Sequence, residues 1–268
     1  MEKIGKYAKW ACMRGFRLDK IQFDPLHVLC LGLLQWALGY CFKDLLLKNF
    51  WRGSTLGPWE ARYSQQLRNA TRQFRLWAHR NRLEHSELRF TLAKLSISAL
   101  SGDTATAYYK GKGHNTLVVS IWMSELCSRV ASLPGHTEHD TACAACMWGY
   151  TQCLAICKRA SLVLSDADVT GLEECRSAAL RGQLHLWLEG QTRAPSENQW
   201  PMKPTHHFFD HMIRNAIRSR INFGQFACWA DEHFIGHICE IAAEVGVSNR
   251  TALATMYGYL VDLMSARS

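Results

Sequence analysis

After Asp24-Pro25 the chain turns apolar, and Leu26, Leu29, Cys30, Leu33, Trp36, Ala37 and Tyr40 recur at three- and four-residue spacing. That is the period of one buried helical face. Asp24 has the form of a helix N-cap, and Pro25 suits the first helical position because its φ is already set. The same period predicts helices over 58–84, 115–132, 137–163, 168–189, 206–219, 229–245 and 249–265, the last capped by Ser248. Two-residue alternation is rare. Leu18–Phe23 reads as a half-buried strand, and Lys203–Phe209 is a second, short candidate. The pattern predicts a mostly α-helical chain with at most a small sheet.

The most apolar stretch, Leu26–Phe42, is interrupted by His27, Gln35 and two glycines and is followed at once by Lys43-Asp44. A membrane-spanning helix takes ~20 clean apolar residues. A buried core helix is the expectation, with no membrane partner.

Composition adds limits. The 268 residues are 48% hydrophobic, enough for one large domain or two small ones. The aromatic content and the lack of low-complexity tracts exclude intrinsic disorder, and no repeat period recurs. Met1–Tyr7 carries no apolar leader segment, and eleven cysteines are an odd number for a disulfide framework. The expectation is an intracellular protein, nuclear or cytoplasmic and not secreted. Pro195, Pro201 and Pro204 fall within ten residues, so 191–205 reads as a linker.

Two clusters raise metal chemistry. Cys143, Cys146, Cys153 and Cys157 form one stripe along nearly four turns of a helix, too long to close a tetrahedron around one ion. They read as small packing residues, although His136 and His139 just before them keep a metal option open. His207/His211 and His233/His237 have the i,i+4 spacing that can present two imidazoles, without a His-Glu-x-x-His pattern.

One charge pattern stands out against the net charge of +8. Ala61–Leu83 holds six arginines and no acid. Arg68, Arg72, Arg75, His79 and Arg82 fall within roughly an 80° sector of a helix, away from the apolar sector of Leu67, Ala70, Phe74, Trp77 and Ala78. Such a face suits a phosphate backbone, with Arg68, Arg72, Arg75 and Arg82 as candidate DNA contacts. It is also what a solvated outer helix face looks like.

Two segments in order point to a family. Leu18 to Gly32, with Asp24, His27 and Leu31-Gly32, resembles the Asp-x-x-His-x-x-x-Leu-Gly element of KDZ- and CACTA-type transposases. Lys203-Pro204-Thr205-His206-His207, followed by Phe226 to Gly236 around Glu232, is similar to that family's Lys-Pro-x-x-His segment and its aromatic-rich approach to a Glu. The resemblance implies the later portion of an RNase H-like α/β domain with a large helical insertion. Residues 1–57 would supply a strand and helix of a partial core, 58–190 the insertion, 191–205 the linker, and 206–268 the helices completing the core. It implies Asp24 and Glu232 as catalytic carboxylates holding Mg²⁺ or Mn²⁺ for DNA phosphoryl transfer. Only Glu2 and Asp19 are acidic among the 23 residues before Asp24. The expectation is therefore a catalytically incomplete, transposase-derived DNA-binding protein. Asp24 as a cap and Glu232 as a first-turn acid remain open readings. So does a helical scaffold for a protein partner or a second copy, with no nucleic-acid role.

Overall fold

The computed structural model describes residues 22–54, 56–97, 106–193 and 200–228. Asp24 starts the helical body. Its carbonyl accepts the Val28 N–H at 3.0 Å, and its Oδ1 accepts the Leu26 N–H at 3.0 Å. This is the capping expected of an aspartate before a proline. The helix opens as a π-helical stretch, Leu26–Leu33, and continues as α1, Leu34–Leu47. By length and composition Leu26–Leu47 is apolar enough to cross a membrane. In the fold it is the central element, with Leu29, Cys30, Leu34, Leu38 and Phe42 all fully buried. A helix apolar on every side needs neighbours on every side.

The other helices are α2 (Trp59–Arg80), α3 (Gly113–Ala131), α4 (Glu138–Arg159), α5 (Asp166–Arg193) and α6 (Pro204–Ser219), followed by a short 3₁₀ turn, Phe223–Phe226. The π-helical stretch packs on α3 and α6, while α1 packs on α3 and α4. The chain divides into two units, Met1–Ala227 and Cys228–Ser268. Apart from Cys228, the second lies outside the described residues, as do the helices expected over 229–245 and 249–265.

Two contacts organise the first unit. Trp122 on α3 is almost completely buried and sits among Phe42, Trp51, Phe74 and Phe90, with ring centroids 5.4–6.3 Å away. The second contact joins α4 to α5 at Gly149. A Cβ there would lie 2.5 Å from the Cys175 carbonyl oxygen and 2.7 Å from Ala179 Cβ. The two backbones approach as closely as they do because that side chain is absent.

No strand occurs among the described residues, which are mostly helical. Their one β-bridge is the isolated pair Val163 and Ile221. Lys203–Phe209 is not the short strand expected there. Pro204 takes the first helical position, and the Lys203 N–H donates to His206 Nδ1 at 2.9 Å, so the segment opens α6. Of Leu18–Phe23, only Gln22 and Phe23 are described, and neither is in a regular element. The helix expected over 58–84 stops at Arg80. Asn81 donates to the Trp77 carbonyl at 2.9 Å, and Arg82 takes a left-handed φ of +53°. Further along, α5 runs to Arg193, and Trp200 beyond it is buried.

The described cysteines form no disulfide, and eight of the nine are buried. Burial pushes Cys30 and Cys157 up to about 12 and Cys146 and Cys153 well above the ordinary thiol value. Along the α4 stripe, Cys146, Cys153 and Cys157 serve as packing residues.

Candidate functional site

The two segments that carry the family resemblance meet in the first unit. Phe23 stacks on Phe208 with centroids 5.1 Å apart, and Lys203 Nζ lies 4.2 Å from the Trp36 ring centroid. Gly32 faces Thr205, whose Cγ2 would be 3.0 Å from a Cβ at that position. Of the two expected carboxylates, Asp24 lies at this junction, and Glu232 lies outside the described residues. Asp24 gives Oδ1 to the helix cap and Oδ2 to a close contact with His27 Nδ1.

Among the described residues, no group of potential ligands joins Asp24 to a second carboxylate. With Glu232 outside the described residues, the expected pair of carboxylates is not tested. Asp24 caps the helix. Asp24→Ala should lower stability by about 1 kcal/mol, whereas Asp24→Asn, also a good cap, should change it little. Urea unfolding followed by circular dichroism measures both, and equal losses would mean the carboxylate does more than cap.

On α2, Arg68, Arg72 and Arg75 are exposed while Leu67, Ala70, Phe74 and Ala78 are buried, as an amphipathic helix requires. Arg68 reaches Gln65 Oε1, and Arg75 donates to the Leu88 carbonyl. Both side chains stay at the surface. Arg82 is exposed too, but it follows the helix end and departs from the helical sector predicted for it. His79 stays on the exposed side.

The C-terminal histidines divide. His206 is buried at the start of α6, where burial holds its pKa below the ordinary value. His207 and His211 are exposed with ring centroids 4.3 Å apart. His233 and His237 lie outside the described residues.

The most concentrated chemistry sits elsewhere, where α1, α4 and α5 meet. His139 Nε2 donates to Asp44 Oδ2 at 2.9 Å, and its Nδ1 donates to Glu189 Oε2 at 2.6 Å. Both ring nitrogens donating is the arrangement of an imidazolium. Burial works against that charge, but Asp44 and the Cys143 sulfur outweigh it and push His139 up to about 12. Asp44 Oδ2 also accepts from Trp200 Nε1 at 3.2 Å, and Cys143 Sγ lies 3.9 Å from it.

Burial pushes the Cys143 thiol up, yet its hydrogen-bonded neighbours Cys41 and His139 reverse this and hold it below the usual thiol value. Cys41 is held well above that value, chiefly by burial. Beside the cluster, Thr137 and Asp140 form the capping box of α4, and Asp140 pairs with Lys48. Burial raises the Asp140 carboxyl, but Lys48 and Thr137 more than offset it and hold it below the carboxylate range.

Sequence reasoning singled out His139 and Cys143 and missed Asp44, Glu189 and Cys41. One signal was present. Asp44 is the single acid in Leu26–Leu47, and a carboxylate inside a buried apolar helix requires a partner.

Comparison of the chain with protein-family profiles, with curated proteins and with solved structures finds no match.

Proposed function

We propose that the chain is a DNA-binding protein derived from a KDZ/CACTA-type transposase, holding the later part of an RNase H-like domain and its helical insertion. The observation that carries DNA binding is the exposed arginine face of α2, with no carboxylate from Ala61 to Leu83. A helix so charged neutralises phosphates and releases their counterions. The transposase origin is supported by the packing of the Asp24–Gly32 segment against Lys203–Phe208, which lie more than 170 residues apart in sequence. In this reading Asp24 and Glu232 correspond to carboxylates of a strand-transfer enzyme. With Asp24 engaged by the helix cap and His27, binding rather than cleavage is the proposed activity.

Salt dependence tests the reading. If four phosphates are engaged, affinity for duplex DNA should fall about 100-fold between 50 and 200 mM salt. Arg72→Glu combined with Arg75→Glu should abolish binding in fluorescence anisotropy. A folded double variant that binds as tightly as the parent would remove the arginine face from the reading.

The scaffold alternative has one observation in its favour, a groove of about 580 Å³ between α3 and α4 where Trp148 stays 39% exposed. A pure scaffold would show no DNA binding even at low salt.

A further inference from the structure

We propose that Asp44, His139 and Cys143 form a binding site for one zinc-like transition-metal ion that ties α1 to α4. The proposal is independent of DNA binding. The ligand atoms of Asp44, His139 and Cys143 lie within 4.8 Å of one another. Two of the separations are 2.9 Å (Nε2 to Oδ2) and 3.9 Å (Sγ to Oδ2). Tetrahedral bonds of 2.0–2.3 Å place neighbouring ligand atoms about 3.3–3.8 Å apart. A few tenths of an ångström of adjustment brings these two edges to the tetrahedral spacing.

The spacing along α4 agrees. His139 and Cys143 are four residues apart on α4, so they lie on one face, and Asp44 meets them from α1. Cys41 lies beside the site rather than in it: its sulfur accepts from Cys127 Sγ at 3.8 Å, and it lines a small cavity with Asp44 and Cys143. The fourth position is open to water, as in zinc sites with three protein ligands.

Glu189 is the feature that an ordinary packing cluster does not explain. It holds His139 Nδ1 at 2.6 Å and leaves Nε2 pointing at the cluster. A carboxylate on the far nitrogen fixes the tautomer and ring direction of metal-bound histidines. One thiolate, one imidazole and one carboxylate are a borderline set, which favours zinc over Mg²⁺ or Mn²⁺. On binding, Nε2 loses its proton and its hydrogen bond to Asp44 and gives a lone pair to the metal. The Cys143 thiol releases its proton to solvent.

Cobalt(II) is the probe, titrated into the full chain purified without a histidine tag and stripped with chelator. The expected result is one cobalt per chain, with thiolate-to-cobalt charge-transfer absorption in the near ultraviolet and the visible bands of a tetrahedral ion. Zinc should displace it. Glu189→Gln, which keeps the side-chain shape, should weaken binding about 10- to 100-fold. Cys143→Ser should lose the charge-transfer band. A folded parent chain that takes up no stoichiometric cobalt would overturn the site and leave an ion-pair network in its place. So would a folded Cys143→Ser variant with an unchanged cobalt spectrum.

Discussion

Truncating Trp122 to alanine is expected to lower the stability of the helical body by about 4 kcal/mol. The indole is 1% exposed, and it touches rings from α1, α2 and the loops around Trp51 and Phe90. Its removal leaves a cavity whose walls belong to separate elements, none of which can shift inward without losing other contacts. Loops carry two of those rings, so they lose their anchor as well. Urea unfolding followed at 222 nm should show a lower midpoint at an unchanged slope. Trp122→Phe should recover part of the loss, because the ring-on-ring contacts partly survive. A midpoint shift below a quarter of the expected size would place the centre of the core elsewhere.

The second large effect goes the other way in volume. Gly149→Ala adds one methyl where α4 meets the backbone of α5, 2.5 Å from the Cys175 oxygen and 2.7 Å from the Ala179 nitrogen. Backbone atoms cannot rotate aside, so the helices must separate. The expected cost is about 2–3 kcal/mol. The same substitution on α5 supplies a control. Gly171→Ala meets only Ile156 Cδ1, at 3.1 Å, the movable end of a side chain. There the gain in helix propensity, about 0.5–1 kcal/mol, offsets the small adjustment. Opposite outcomes for two glycine-to-alanine changes would locate the constraint in backbone approach. Equal effects would mean that propensity alone decides both.

Helices were legible in the chain wherever apolar residues repeated over several turns, because a buried face must repeat with the helical period. The short segment Lys203–Phe209 misled, since seven residues are too few to establish a helical period. Pro204 at a helix start decided the matter locally. The end of α2 was also hidden, because Asn81 and Arg82 reverse the chain through backbone geometry that a charge pattern does not encode.

At the candidate sites the divide is sharper. The arginine face lies within one helix and was visible as a sector. The Asp44 cluster joins residues 95 positions apart and draws Glu189 from a third helix. Its α4 half, His139/Cys143, has readable spacing, and Asp44 supplies the other half from α1. Which half faces which depends on how α1 and α4 cross, and one-dimensional patterns do not carry that.

The π-helical stretch sets an angular relation along the longest buried element. A π turn holds one residue more than an α turn. One residue corresponds to about 100° of rotation in a regular helix. Leu26–Leu33 therefore works as an inserted phase step between Asp24 and Asp44. With an all-α path the stacking of Phe23 on Phe208 and the cluster at Asp44 would be turned relative to each other, and only one could keep its partners. The locus therefore accommodates a change in residue number less readily than a change in residue type.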